Sequence, residues 1–152
     1  MTDLRPVAPA DIVPLLDVQV RDDQDDFVAP PVVTVAQARF EGGAHDFVIW
    51  DGEERVGLLA VIVVSENDNT DPTDHPDALY VWRMSVKADA QGRGHGRAAM
   101  TFAEDFARQK GRDRVQVHAV EDNAAAIGFY ESLGYIRTGA RSGREIQLEK
   151  ML

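Results

Sequence analysis

Cysteine is absent from this 152-residue chain. A disulfide framework and a thiolate metal site are therefore excluded, and the absence fits a reducing compartment. Long apolar runs are also missing. None approaches the ~18 residues of a membrane-spanning helix, and Met1 to Asp11 lacks the basic-then-apolar order of a secretory leader. Positive charge is scarce: 16 Lys and Arg stand against 26 Asp and Glu, a formal net charge of -10. That balance argues against a nucleic-acid partner, which needs a cationic surface, and is compatible with a small cationic one. No two of the histidines have metal-ligand spacing, so no metal is expected. The expectation is a soluble, cytoplasmic protein with no membrane partner.

The length suits a single domain over residues 1–152, able to bury roughly 70% of its unfolded surface. Leu4-Arg5-Pro6-Val7 reads as an edge strand, because Pro6 cannot donate to a ladder. Pro9 to Val20 has helical spacing interrupted by Pro14. Thr34 is placed to cap a second helix that Gly42-Gly43 ends. A meander follows: Asp46 to Trp50, a turn at Asp51-Gly52, an apolar strand Val56 to Val64 buried on both faces, and, after an acidic loop, Leu79 to Val86. Simple alternation puts Tyr80, Trp82, Met84 and Val86 on one face of that last strand and Leu79, Val81, Arg83 and Ser85 on the other. A helix to Gly111, a strand Arg114 to Val120, a helix Asn123 to Leu133 and a hairpin from Tyr135 complete the order. The class is α/β (α+β) with a mixed sheet.

The stretch QGRGHGRAAM, Gln91 to Met100, sets three glycines and two arginines at a helix start. Unpaired N–H groups and the positive end of the helix dipole meet there. Glycine lets such a backbone approach a bulky anion, and Arg93 and Arg97 add charged donors. The pattern points to a pyrophosphate cradle. It is not a P-loop, since no Lys-Ser or Lys-Thr follows, and Gly92, Gly94 and Gly96 lack dinucleotide-fingerprint spacing.

Together, YVWRMSVKADAQGRGHGRAAM and EDNAAAIGFYESLGY (Glu121 to Tyr135) resemble the signature segments of the GNAT superfamily of acetyl-CoA-dependent N-acetyltransferases. The resemblance implies a mostly antiparallel sheet of about seven strands flanked by about four helices. It implies that the strand segment Met84, Ser85 and Val86 holds the pantetheine arm, that Gln91, Gly92, Arg93, Gly94, His95, Gly96 and Arg97 hold the pyrophosphate, and that Asn123 contacts the coenzyme near its thiol. Tyr130 would be catalytic, protonating the departing thiolate. Asn123 is equally an N-cap, and Tyr130 shares an apolar face with Ile127 and Leu133. The implied partner is a small-molecule amine acceptor, and a homodimer is common in the fold.

An alkylamine of pKa about 10.4 costs on the order of 4–5 kcal/mol to deprotonate near pH 7. Many relatives place a glutamate on the signature strand for this task; here Arg83 and Ser85 stand there. Glu66, or an acid in the loop after it, is the remaining source, and His118 reads as structural. Gln24, Phe27, Val28 and Ala29 match a segment of the bacterial diamine and spermine/spermidine N-acetyltransferase branch, while Pro30-Pro31 and Lys87 depart from it. The resemblance implies a polyamine acceptor held by Gln24, Asp25, Asp26, Phe27, Val28, Tyr80 and Trp82, the two rings offering faces to an ammonium group. A peptide or protein amine, an amino acid, an aminoglycoside, and a non-catalytic acetyl-CoA-binding role are the alternatives.

Overall fold

The computed structural model describes residues 1–21 and 29–152. The expectations placed on Gln24, Asp25, Asp26, Phe27 and Val28 lie outside the described residues. The chain builds a seven-stranded sheet in the order β1-β2-β3-β4-β5-β7-β6. The strands are β1 Thr2–Pro6, β2 Ala44–Asp51, β3 Glu54–Val63, β4 Ala78–Val86, β5 Arg114–Val120, β6 Ile136–Ser142 and β7 Glu145–Met151. The helices are α1 Ile12–Leu15, α2 Pro31–Ala38, α3 His95–Gln109 and α4 Ala124–Ser132. Every pairing is antiparallel except β4 with β5. The mixed, mostly antiparallel architecture is the one expected.

Two apolar layers sandwich the sheet. On one side Phe47, Leu59, Leu79, Val81, Val115, Val117 and Leu148 meet Ala99, Met100, Ala103 and Ala107 of α3. Phe47 packs edge-on against Phe102 and Phe106, with centroids 4.8 and 5.5 Å apart. The smaller layer sets Val48 and Leu58 against Leu15, Val18 and Val35 of the α1–α2 segment. Residues Val56 to Val63 of β3 are buried throughout, as an apolar strand covered on both faces must be.

One local expectation holds, the interruption at Pro14, and two are corrected. Pro14 confines α1 to four residues after a 3₁₀ turn at Pro9–Asp11. Thr34 does not cap α2. Pro31 opens the helix, its fixed φ suiting the first turn, and Thr34 is buried inside. The largest correction concerns β4. Ala60 pairs with Arg83 but Val61 with Val81, so Trp82 is an extra, bulged residue. A one-residue bulge reverses the alternation beyond it. Leu79, Val81, Met84 and Val86 therefore all pack with the α3 layer. Arg83 turns to the other side, donating to Thr34 and Gln37 of α2.

Gly57 secures the approach of β3 to this distorted strand. A Cβ there would lie 2.2 Å from the Ser85 carbonyl oxygen and 3.1 Å from Cδ1 of Ile49. The backbone carbonyl cannot move without parting the strands, so Gly57→Ala is expected to destabilise the protein by about 1–3 kcal/mol. Urea unfolding measures this, and an unchanged midpoint would contradict the packing described.

Candidate active site

The parallel ladder between β4 and β5 ends at Val81 and Val117, yet both strands run on. Past that point they diverge around a cavity of about 630 Å³, within the range of small-molecule sites. The backbone of β4 faces this gap. Lys87 N–H donates to Val56 of β3 at 2.8 Å. Alternation then aims the backbone of Ser85 at β3 and that of Met84 and Val86 into the gap. The Val86 carbonyl is met there by Gln91 Nε2 at 2.8 Å. Ser85 lines the cavity, but its carbonyl lies against Gly57.

One end of the cavity opens at the start of α3. Gly92 and Gly94 have φ of 78° and 86°, a left-handed conformation suited to glycine. A Cβ at either would meet nothing within 4 Å, so their backbone is open to an incoming group. Gly94 is the N-cap of α3, no side chain caps the helix, and its first turn contains no acid. The amides of His95, Gly96 and Arg97 precede the first intrahelical bond, from Ala98 to Gly94. Gly96 has a different reason to be glycine: a Cβ there would press on the Phe129 ring at 3.3 Å.

The other expected residues separate into two groups. Tyr80, Trp82, Gln91, His95, Arg97, Asn123 and Tyr130 line the cavity. Arg93 is exposed and lies 3.9 Å from Asp51 instead. Buried His95 is pinned by Thr2, its Nδ1 2.8 Å from the hydroxyl, so its side chain ties the glycine loop to β1. Asn123 does cap α4, its Oδ1 accepting from Ala126 N–H at 3.2 Å. Trp82 has one ring face covered by the Arg83 guanidinium at 4.4 Å. Tyr130 packs near Phe129 and Tyr135, and burial pushes its hydroxyl up to about 12. Glu66 sits against the Gly42–Gly43 turn and does not line the cavity.

On the face away from α3 lies a cluster that strand alternation hinted at, through the polar positions Gln116 and His118 of β5. The His118 side chain is 7% exposed; its Nε2 is 3.1 Å from Asp74 Oδ1 and its Nδ1 3.5 Å from Glu145 Oε2. Its ring lies 4.9 Å from that of Tyr80. Asp74 is fixed by accepting from the Asp71 N–H at 3.1 Å. Asp71 in turn is held at about 2 by hydrogen bonds from Ser142 and from the Thr73 amide and hydroxyl. Within the loop before β4, Asp71 to Asp74 is thus an ordered wall, while Glu66, Asp68 and Asp77 stay exposed. Burial disfavours the His118 imidazolium, but Asp74 and Glu145 outweigh it and raise its pKa. Burial and the same two carboxylates raise that of Tyr80.

Residues 13–135 match the family described as Acetyltransferase (GNAT) family. The mycothiol acetyltransferase of Geodermatophilus obscurus is 33% identical over 92 residues, 60% of this chain and 28% of that protein, so the matched stretch spans under a third of it. In fold, the chain is similar to an aminoglycoside acetyltransferase AAC(6')-Ib in complex with coenzyme A, with a TM-score of 0.79 at 15% identity over 99% of this chain and 95% of that one. The PaiA N-acetyltransferase from Thermoplasma acidophilum, also in complex with coenzyme A, has a TM-score of 0.75 at 11% identity over 100% and 99%. These likenesses extend to the family and the fold and not to a polyamine-specific branch.

The raised pKa of His118 gives stability a sign with pH. Because the folded value lies above the free imidazole's 6.5, the pairing stabilises in full below about pH 6.5 and is lost as pH rises through the folded value. Between pH 6 and pH 8.5, wild type should lose more unfolding free energy than His118→Gln does, as read by urea titration. Equal losses would mean that the carboxylates do not hold the imidazolium.

Proposed function

The chain belongs to the acetyltransferase (GNAT) family, and from that premise we propose that it transfers an acetyl group from acetyl-CoA to the primary amine of a small acceptor. The observation that carries the proposal is the divergence of β4 from β5 beside an uncapped helix start whose glycine backbone is open. Those residues fit the coenzyme. The amides from Gly92 to Arg97 suit the pyrophosphate, with Arg97 as a charged donor. The gap-facing backbone of Met84 and Val86 suits the amides of a pantetheine arm, which leads past Asn123 toward Tyr130. When bound, acetyl-CoA supplies an activated acyl group.

An arm held by the glycine loop and the β4 backbone would leave the other face to the acceptor, where Tyr80, Arg83 and His118 stand. Attack requires a neutral amine. His118 is the base we assign on that face, because Asp74 and Glu145 brace its ring and raise its proton affinity toward that of an amine. One proton passes from the ammonium to His118. The nitrogen then forms the C–N bond and the C–S bond breaks. The nitrogen's second proton departs as the amide forms and ends on the sulfur.

Tyr130 has a narrower task than outright protonation. Burial pushes its hydroxyl up to about 12, so the phenol holds its proton at physiological pH. Its hydroxyl instead donates a hydrogen bond to the sulfur as negative charge builds, in a site where such a donor counts for more than in water.

The polyamine expectation is a finer version of this proposal. Glu145, which lines the cavity, supports an ammonium-binding surface, with Asp74 buried behind His118; Arg83 on the same wall does not. Titration calorimetry with acetyl-CoA should give saturable binding, and a panel of amines should release free coenzyme A. Tyr130→Phe should bind acetyl-CoA as wild type does while kcat falls on the order of 100-fold. No saturation at millimolar acetyl-CoA would overturn the proposal, and an unaltered kcat would remove Tyr130 from the chemistry.

A further inference from the structure

The acceptor face of the cavity is electrically divided. At one end Asp74 and Glu145 flank His118. At the other stands Arg83, a half-buried guanidinium that lines the same cavity. Tyr80 lines the cavity with both, its ring 4.9 Å from that of His118.

Among the described residues Arg83 is held by neutral partners. Its Nη1 donates to the Thr34 hydroxyl at 3.0 Å and to the Gln37 side-chain oxygen, both uncharged. Among the described residues no carboxylate forms an ion pair with it, whereas Arg39, Arg55 and Arg114 each have one. A partly desolvated cation without an anion is costly. Both Nη1 hydrogens are spent on α2, and the guanidinium carbon lies 4.4 Å from the centre of the Trp82 ring. That fixes the plane of the guanidinium and leaves the Nε–Nη2 edge, the edge that grips a carboxylate with two parallel hydrogen bonds.

We propose that the acceptor is an amine that itself bears a carboxylate, seated across Tyr80 with its carboxylate on Arg83 and its ammonium toward Asp74, His118 and Glu145. The inference rests on the acetyl-transfer function above and narrows its substrate class. A polyamine satisfies the acidic end alone and sets a second cation against Arg83. A zwitterion satisfies both ends, and its orientation brings the nitrogen to the base.

The test is turnover with free amino acids and ω-amino carboxylates, each beside its own carboxamide, with spermidine and cadaverine as amines lacking a carboxylate. The best carboxylate should exceed its carboxamide in kcat/KM by on the order of 10- to 100-fold. In Arg83→Gln, which keeps polar contact with α2, that ratio should fall to about one through a rise in KM; Arg83→Lys should keep part of it. The ratio is internal to each variant, so a general loss of folded protein cannot mimic the result, and thermal unfolding checks the fold directly. Faster turnover of spermidine or cadaverine, or a preference that survives in Arg83→Gln, overturns the inference. If wild type binds acetyl-CoA but turns over no carboxylate, the inference alone falls. If wild type does not bind acetyl-CoA, the function beneath it falls first.

Discussion

The structure depends on one broken ladder. Backbone N–H and C=O groups inside a protein need partners, and a parallel strand normally finds them on its neighbour. Here β4 and β5 pair only from Ala78 and Arg114 to Val81 and Val117. Beyond that, the bulge at Trp82 turns β4 away while β3 still holds its other edge. The polar groups of Met84 and Val86 are left facing a gap, where Gln91 donates to the Val86 carbonyl. A sheet interior that withholds its own hydrogen bonds is prepared to give them to an extended, amide-bearing ligand. Gly57, by admitting the Ser85 carbonyl so closely, keeps the β3 side of β4 shut while the β5 side opens.

Local charge decides what the site attracts, despite a net charge of -10. Fields between exposed groups fade over about 8 Å at physiological salt, so the helix start and Arg97 set the potential at one mouth of the cavity. Arg93 contributes less there than its sequence position suggests, because it leans toward Asp51. Together with the contact of His95 to Thr2, this braces the glycine loop from behind against β1 and β2. A backbone cradle is useful only if it is rigid, and rigidity comes here from side chains that point away from the ligand.

Much of the fold was legible because it follows local rules. Gly134 and Asn123 mark the ends of α4, the Ala and Phe stripe marks α3, and the apolar run from Val56 marks the doubly covered strand. The strand and helix order then fixed the class of sheet. What was not legible depends on distance along the chain. Nothing local distinguishes Trp82 as a bulge, since the extra residue is defined by the register of β3, so Met84 and Arg83 were assigned to the wrong faces. The contact of His118 with Asp74 joins residues 44 positions apart, and the polar alternation of β5 showed that His118 leaves the core without showing what it meets. The three glycines looked equivalent; two open the backbone, and Gly96 makes room for Phe129.

The bulge also links the two ends of the proposed chemistry. Strict alternation would put Arg83 with Leu79 and Val81 in the α3 layer, where a guanidinium would face apolar side chains at heavy cost. The extra residue sends Arg83 to the acceptor face and Met84 to the core in its place. Here β4 presents a cation, and the carboxylates stand on β7 and on the loop before β4. In the proposed chemistry the imidazole of β5 is the group through which the acidic end takes a proton. Arg83 would then orient the acceptor without activating it.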